Sequence, residues 1–85
     1  MIIVFHRDFK KSYHKLPSKI INKLDERLRL FVKDEFDPVL NNHALKGKYL
    51  GYRSINVTGD IRAIFLRDTK NALFVAIDSH SNLYG

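Results

Sequence analysis

Four residues that are β-branched or aromatic, Ile2-Ile3-Val4-Phe5, open the chain ahead of the polar His6-Arg7-Asp8, which predicts a short strand. Phe9, Tyr13 and Leu16 then recur at intervals of four and three. That spacing marks one face of a helix, expected over about 9–15 with Asp8 as its cap. Pro17 interrupts it and suits the first turn of another helix, which begins at Pro17 or Ser18. Ile20, Ile21, Leu24, Leu28, Phe31 and Val32 make one apolar stripe along this second helix, while Lys19, Lys23 and Arg27 share a different face. The helix fades between Asp34 and Pro38, where acidic residues and then proline oppose continuation.

Residues 38–51 read as loop or irregular strand. Beyond them residues 52–57 alternate, Thr58-Gly59-Asp60 signals a turn, and residues 61–67 are rich in Ile, Phe and Leu. A second turn over 68–71 leads to a strand over 73–77. The last eight residues, from Asp78 to Gly85, are too polar to extend a buried strand.

The architecture is α+β: a strand, a helical hairpin, then a three-stranded antiparallel meander that the first strand joins to make four strands. One face of the sheet must pack on the hairpin; the other is expected to be open to solvent. With 85 residues and no visible linker or repeat, the whole of 1–85 reads as a single domain around a small core. The absence of cysteine excludes a disulfide framework, a thiolate zinc site and a cysteine nucleophile. The apolar run after Met1 is too short for a signal sequence or a membrane span, so a soluble, cytoplasmic protein is expected.

A formal net charge of +6 favours an anionic partner, nucleic acid or an acidic protein. Its most concentrated setting is 43–53, where His43, Lys46, Lys48, Tyr49, Tyr52 and Arg53 fall among Gly47 and Gly51. Cations, flat rings and a backbone able to bend close to a ligand suit a polyanion, although a polar loop feeding a strand has the same composition.

His43 and His80 flank the meander. Imidazoles titrate near neutral pH and can exchange protons there if the two loops meet. Arg53 and Arg62 lie in adjacent strands, available either for ion pairs with Asp60 or Asp78 or for a phosphate. Strand parity puts Arg53 on a side with Ile55 and Val57, and Arg62 with Ile64 and Leu66, so parity alone does not aim both at one pocket. No phosphate-binding glycine loop, metal-binding His-Glu-x-x-His helix or serine elbow occurs, and a His43, His80, Asp60 metal site lacks any short ligand spacing.

Taken together, Phe9-Lys10-Lys11 and Leu16-Pro17, His43-x-Leu45-x-Gly47, Gly51-Tyr52-Arg53, Gly59-Asp60-Ile61-Arg62 and Ser79-His80-Ser81-x-Leu83-Tyr84 resemble, in order and spacing, the RelE/ParE toxin superfamily and most closely its YafQ-like messenger RNA endonucleases. The resemblance implies a toxin of a type II toxin–antitoxin system that enters the ribosome and cuts translated mRNA without a metal or other cofactor. The RNA 2′-hydroxyl would attack the adjacent phosphate. By position, the resemblance makes His43, Asp60, Arg62, His80 and Tyr84 the catalytic set, and Lys46, Lys48, Tyr49, Tyr52, Arg53 and Asn56 the RNA-binding set. It implies an antitoxin partner with an acidic segment wrapping the basic surface, and no membrane.

The sequence departs from that pattern at Asn56, where a histidine is usual, and at Ile61, where an aromatic is common. Asn56 can hydrogen-bond RNA but cannot exchange a proton, leaving acid and base duties to His43, His80 and Asp60. Two other readings share the fold: a ParE-like inhibitor of DNA gyrase with no hydrolytic chemistry, and an inactive relative that only titrates antitoxin.

Overall fold

The computed structural model describes residues 1–84. Strand β1 (Ile2–Phe5) is followed by helices α1 (Arg7–His14) and α2 (Ser18–Lys33), then by β2 (His43–Ala44), β3 (Arg53–Asn56), β4 (Ile61–Arg67), β5 (Asn71–Ser79) and helix α3 (His80–Tyr84). Single 3-10 turns at Pro38–Leu40 and Gly47–Tyr49 punctuate the long connection. The first helix is capped by His6 rather than Asp8. The His6 Nδ1 lone pair accepts the Asp8 amide at 3.0 Å, and Asp8 falls in the first turn, where its charge suits the helix dipole.

The sheet has five strands, in the order β1-β5-β4-β3-β2, rather than the four expected. β1 runs parallel to β5, and the remaining pairs are antiparallel. The additional strand, β2, lies in the stretch that reads as loop. Its two residues have no alternation of their own to announce it; what makes them a strand is the backbone edge of β3, with His43 opposite Ser54 and Ala44 opposite Arg53. β5 also outruns its expected limits at both ends.

Against one face lie α1 and α2. Phe9, Leu24, Phe31, Leu40, Ile55, Val57, Ala63, Phe65, Ala72, Phe74 and Ile77 form the main core. At its centre the ring of Phe31 stands edge-on to Phe65 at 5.0 Å and to Phe74 at 5.5 Å, favourable geometry for aromatic quadrupoles. A fork-to-fork ion pair, Arg67 Nε to Glu35 Oε1 at 3.0 Å and Nη2 to Oε2 at 3.1 Å, fastens the segment after α2 to the end of β4.

The opposite face is not open as expected. Leu45, Ile64 and Leu83 are buried there, with Tyr49, Tyr52, Val75, Ala76 and Tyr84 packed around them. The polar C-terminal segment that cannot extend a strand instead forms α3 and lays its single leucine on the sheet. A register shift where Ile64 faces Ala76 and Phe65 faces Phe74 leaves Val75 over, so Val75 and Ala76 both pack with this second cluster.

Truncating Phe31 to alanine should cost about 3–5 kcal/mol in a denaturant titration, much of the total stability of so small a domain. In the β4–β5 turn the Asp68 carboxylate accepts the Lys70 and Asn71 amides at 2.9 and 2.7 Å, and these bonds, Asn71's foremost, hold its pKa below the ordinary value. A lowered folded-state pKa stabilises above the unfolded pKa and stops doing so as pH falls through the folded one. The stability difference between wild type and Asp68→Ala should therefore be widest at neutral pH and shrink in acid; a pH-independent difference would show that the carboxylate is not the acceptor that matters.

Candidate active site

Directly opposed residues of a ladder share a face. The register places His43 beside Ser54, Ser54 beside Ile64, Asn56 beside Arg62, and Arg62 beside Asp78. His43, Ser54, Asn56, Arg62 and Asp78 thus all stand on the face turned away from α1 and α2. Arg53 does not join them. Strand alternation turns it to the helical side, where its Nε donates to Asn42 Oδ1 at 2.8 Å and its guanidinium lies 5.7 Å from the Phe36 ring.

His43 is exposed, and its Nδ1 lies 2.8 Å from the carbonyl oxygen of Asn41. A carbonyl can only accept, so Nδ1 carries the proton and Nε2 of the neutral ring keeps a bare lone pair. Asn41 reaches this position in a left-handed conformation (φ 47°), which asparagine tolerates better than most residues. The Asn41-Asn42 pair is a turn signal in the sequence, but nothing there says that its carbonyl would orient an imidazole.

Arg62 is pinned at one nitrogen only. Its Nη1 donates to the carbonyls of Thr58 and Gly59, both at 2.9 Å. No ion pair holds it among the described residues, and Nε and Nη2 have no protein partner. From ladder spacing, two strands across and two residues along, its Cβ stands roughly 12 Å from that of His43. Side chains of these lengths close most of such a gap around one bound phosphodiester.

The C-terminal helix brings the other groups. Ser79 Oγ accepts the Asn82 amide at 3.2 Å as an N-terminal cap, and the His80 amide donates to the Asp60 carbonyl at 2.9 Å, tying the start of α3 to the β3–β4 turn. His80 and Asp60 thereby become neighbours, both exposed. The His80 ring lies 4.8 Å from that of Tyr84, Tyr84 lies 6.0 Å from Tyr49, and Tyr49 lies 6.3 Å from Tyr52. Lys48 Nζ sits 5.3 Å from the Tyr49 ring centre. Gly47 and Gly51 hold this loop in place at φ 64° and 93°, backbone conformations that other residues rarely adopt. Lys46 is exposed at its start.

Among the described residues, three side-chain atoms on this side of the sheet are buried with no protein hydrogen-bond partner: Ser54 Oγ, Asn56 Oδ1 and the Tyr84 hydroxyl. All three share the side of the sheet that also carries His43 and Arg62. Ser54 escapes a reading of the sequence because a serine in a strand gives no sign of which face it will occupy. Among the described residues His43, His80 and Asp60 do not assemble into a cluster of metal ligands.

The strand order and the helices on this sheet are those of the RelE/YoeB-like α+β toxins. A YoeB/ParE toxin from Agrobacterium tumefaciens superposes with a TM-score of 0.77 at 18% identity, over 94% of this chain and 99% of that one, a likeness of fold. The family model for the bacterial toxin of the type II toxin–antitoxin system, YafQ, matches residues 1–85, and the chain belongs to that family. The structure is similar to that of YafQ from E. coli strain BL21(DE3), with a TM-score of 0.80 and 26% identity over 98% of this chain and 97% of that one. It is also similar to YafQ in the E. coli DinJ–YafQ complex, with a TM-score of 0.77 and 27% identity over 98% and 97% of the two chains. A homologue has thus been crystallised with its antitoxin, DinJ. No curated protein sequence gives a significant match.

The Asn41–His43 bond has a direct spectroscopic consequence. Nitrogen-15 correlation spectra of the neutral His43 ring should show the Nδ1-protonated tautomer, the minority form of free histidine. Finding Nε2 protonated instead would remove the bare nitrogen from the exposed side of the ring.

Proposed function

We propose that this YafQ-family toxin is a ribosome-dependent endoribonuclease that cleaves translated mRNA through attack of an RNA 2′-hydroxyl on the adjacent phosphate. The observation that carries the reading is the shared side of the sheet: an imidazole with an unprotonated nitrogen and a guanidinium with free N–H groups on the strands, and a second imidazole backed by a tyrosine on α3.

His43 Nε2 takes the proton of the 2′-hydroxyl, and the alkoxide bonds to phosphorus. The bond from phosphorus to the 5′-oxygen breaks, and that oxygen takes a proton from His80 in its protonated form. The products are a 2′,3′-cyclic phosphate and a free 5′-hydroxyl. Arg62 stabilises the negative charge that develops on the phosphoryl oxygens, its attachment to Thr58 and Gly59 aiming the free edge of the fork. Asp60 stands beside the start of α3, where its carbonyl accepts the His80 amide, and the Tyr84 ring packs against the His80 imidazole. Lys46, Lys48, Tyr49, Tyr52 and Asn56 contact the RNA. Arg53 contributes from the helical face of the sheet by holding Asn42, next to His43, in place. The chain acts where ribosomes translate, in the cytoplasm, and is restrained by an antitoxin whose acidic segment covers the basic surface.

Expressed without antitoxin, the wild type should arrest growth and yield codon-positioned cuts in primer extension of a translated message. His80→Ala and Arg62→Ala should each lower cleavage by about 10²- to 10⁴-fold, the usual scale of a general acid or a transition-state charge, with the melting transition preserved. Cleavage at the wild-type rate in both variants would remove these residues from the chemistry. DNA breaks with an induced damage response, and no RNA cuts, would point to gyrase inhibition instead.

A further inference from the structure

Beyond the end of β1, which pairs with β5 only as far as Phe74, the edge of β5 is left open, and a cleft of about 410 Å³ lies along it. Val75 to Asp78 line it from the sheet, Asp8 and Ser12 from α1, Lys48, Tyr49 and Tyr52 from the glycine-bracketed loop, and Leu83 from α3. It adjoins the candidate active site at two points: Asp78 faces Arg62 across the ladder, and Tyr49 packs on Tyr84, which packs on His80. None of its carboxylates has been given a part in the cleavage chemistry.

The cleft combines features suited to a flat heterocycle and unsuited to a phosphate. The two tyrosine rings stand nearly perpendicular, at 76°, so that one offers a stacking face and the other an edge, and Lys48, over the Tyr49 ring, adds a cation at the rim. Two carboxylates, Asp8 and Asp78, would repel a phosphate but accept hydrogen bonds from ring or amino N–H groups, and the Ser12 hydroxyl can do either. Asp78 Oδ1 is engaged by the Ser79 amide at 2.7 Å and the Asn82 side chain at 3.0 Å. Those bonds orient the group through Oδ1 alone, and Oδ2 takes no part in them.

Resting on the nuclease reading, we propose that this cleft is the base-selecting subsite of the toxin. It takes one nucleobase beside the scissile phosphate, stacked on Tyr52 with the Tyr49 ring against its edge, and with Asp8, Ser12 and Asp78 reading its donor edge. Adenine, guanine and cytosine each present an exocyclic amino group to such acceptors. Uracil offers a single ring N–H flanked by two carbonyls, which the carboxylates oppose. Selection against uracil at one fixed position next to the cut follows.

The test is to map all cuts made in translated messages by the wild type, Asp8→Asn, Ser12→Ala and, as a charge-matched control outside the cleft, Asp25→Asn. Wild type and Asp25→Asn should disfavour uracil at one position flanking the cut. The preference should weaken by about three- to tenfold in Asp8→Asn and to a lesser extent in Ser12→Ala, the scale of one hydrogen bond to a charged group near solvent. Thermal melting of each variant checks that α1 is intact. Cuts with unchanged base preference in both cleft variants, or a wild type indifferent to uracil at every flanking position, would overturn the subsite while leaving the nuclease reading standing. A wild type that cuts no message would overturn the nuclease reading itself, and the subsite with it.

Discussion

The phenylalanines of the central strands, Phe65 on β4 and Phe74 on β5, face the helical hairpin and close around Phe31. That contact commits one face of the sheet to burial. Every polar side chain that the strands carry at the opposite parity is thereby sent to the other face, and this is how Asn56, Arg62 and Asp78 come to stand in one row. The constraint is strict because side chains alternate with period two: a one-residue slip would bury Arg62 and expose Phe65.

The second face is covered, but thinly. α3 is held by Leu83 and by the tie from His80 to Asp60, and the 45–52 loop by Leu45 and two left-handed glycines. Between these covers lie, among the described residues, three polar atoms with no protein hydrogen-bond partner and two exposed histidines.

Arg53 and Arg62 illustrate how the same residue type is assigned different work. Both are strand arginines of a basic chain, and strand parity already separates them in the sequence. The structure adds the partners. Arg53 is occupied by Asn42 and Phe36, whereas Arg62 is anchored to main-chain carbonyls at one nitrogen and keeps the rest of its fork free. Arg67, a third, is taken up by Glu35 in a structural ion pair.

Period and turn chemistry alone placed β1, α2, β3 and β4 nearly to the residue, because the apolar stripe of α2 and the alternation of the strands are local signals. The order of glycines, histidines and arginines was enough to indicate the toxin family. What those local signals do not contain is anything that depends on a neighbour distant along the chain. β2 exists because β3 offers it an unpaired backbone edge, and α3 because Leu83 finds an apolar surface. The His43 tautomer is set by a carbonyl that only the left-handed Asn41 presents, and the cleft along β5 opens because β1 is shorter than its partner. Hydrophobic periodicity determined which residues would be inside; only the tertiary pairing decided which polar residues would meet outside.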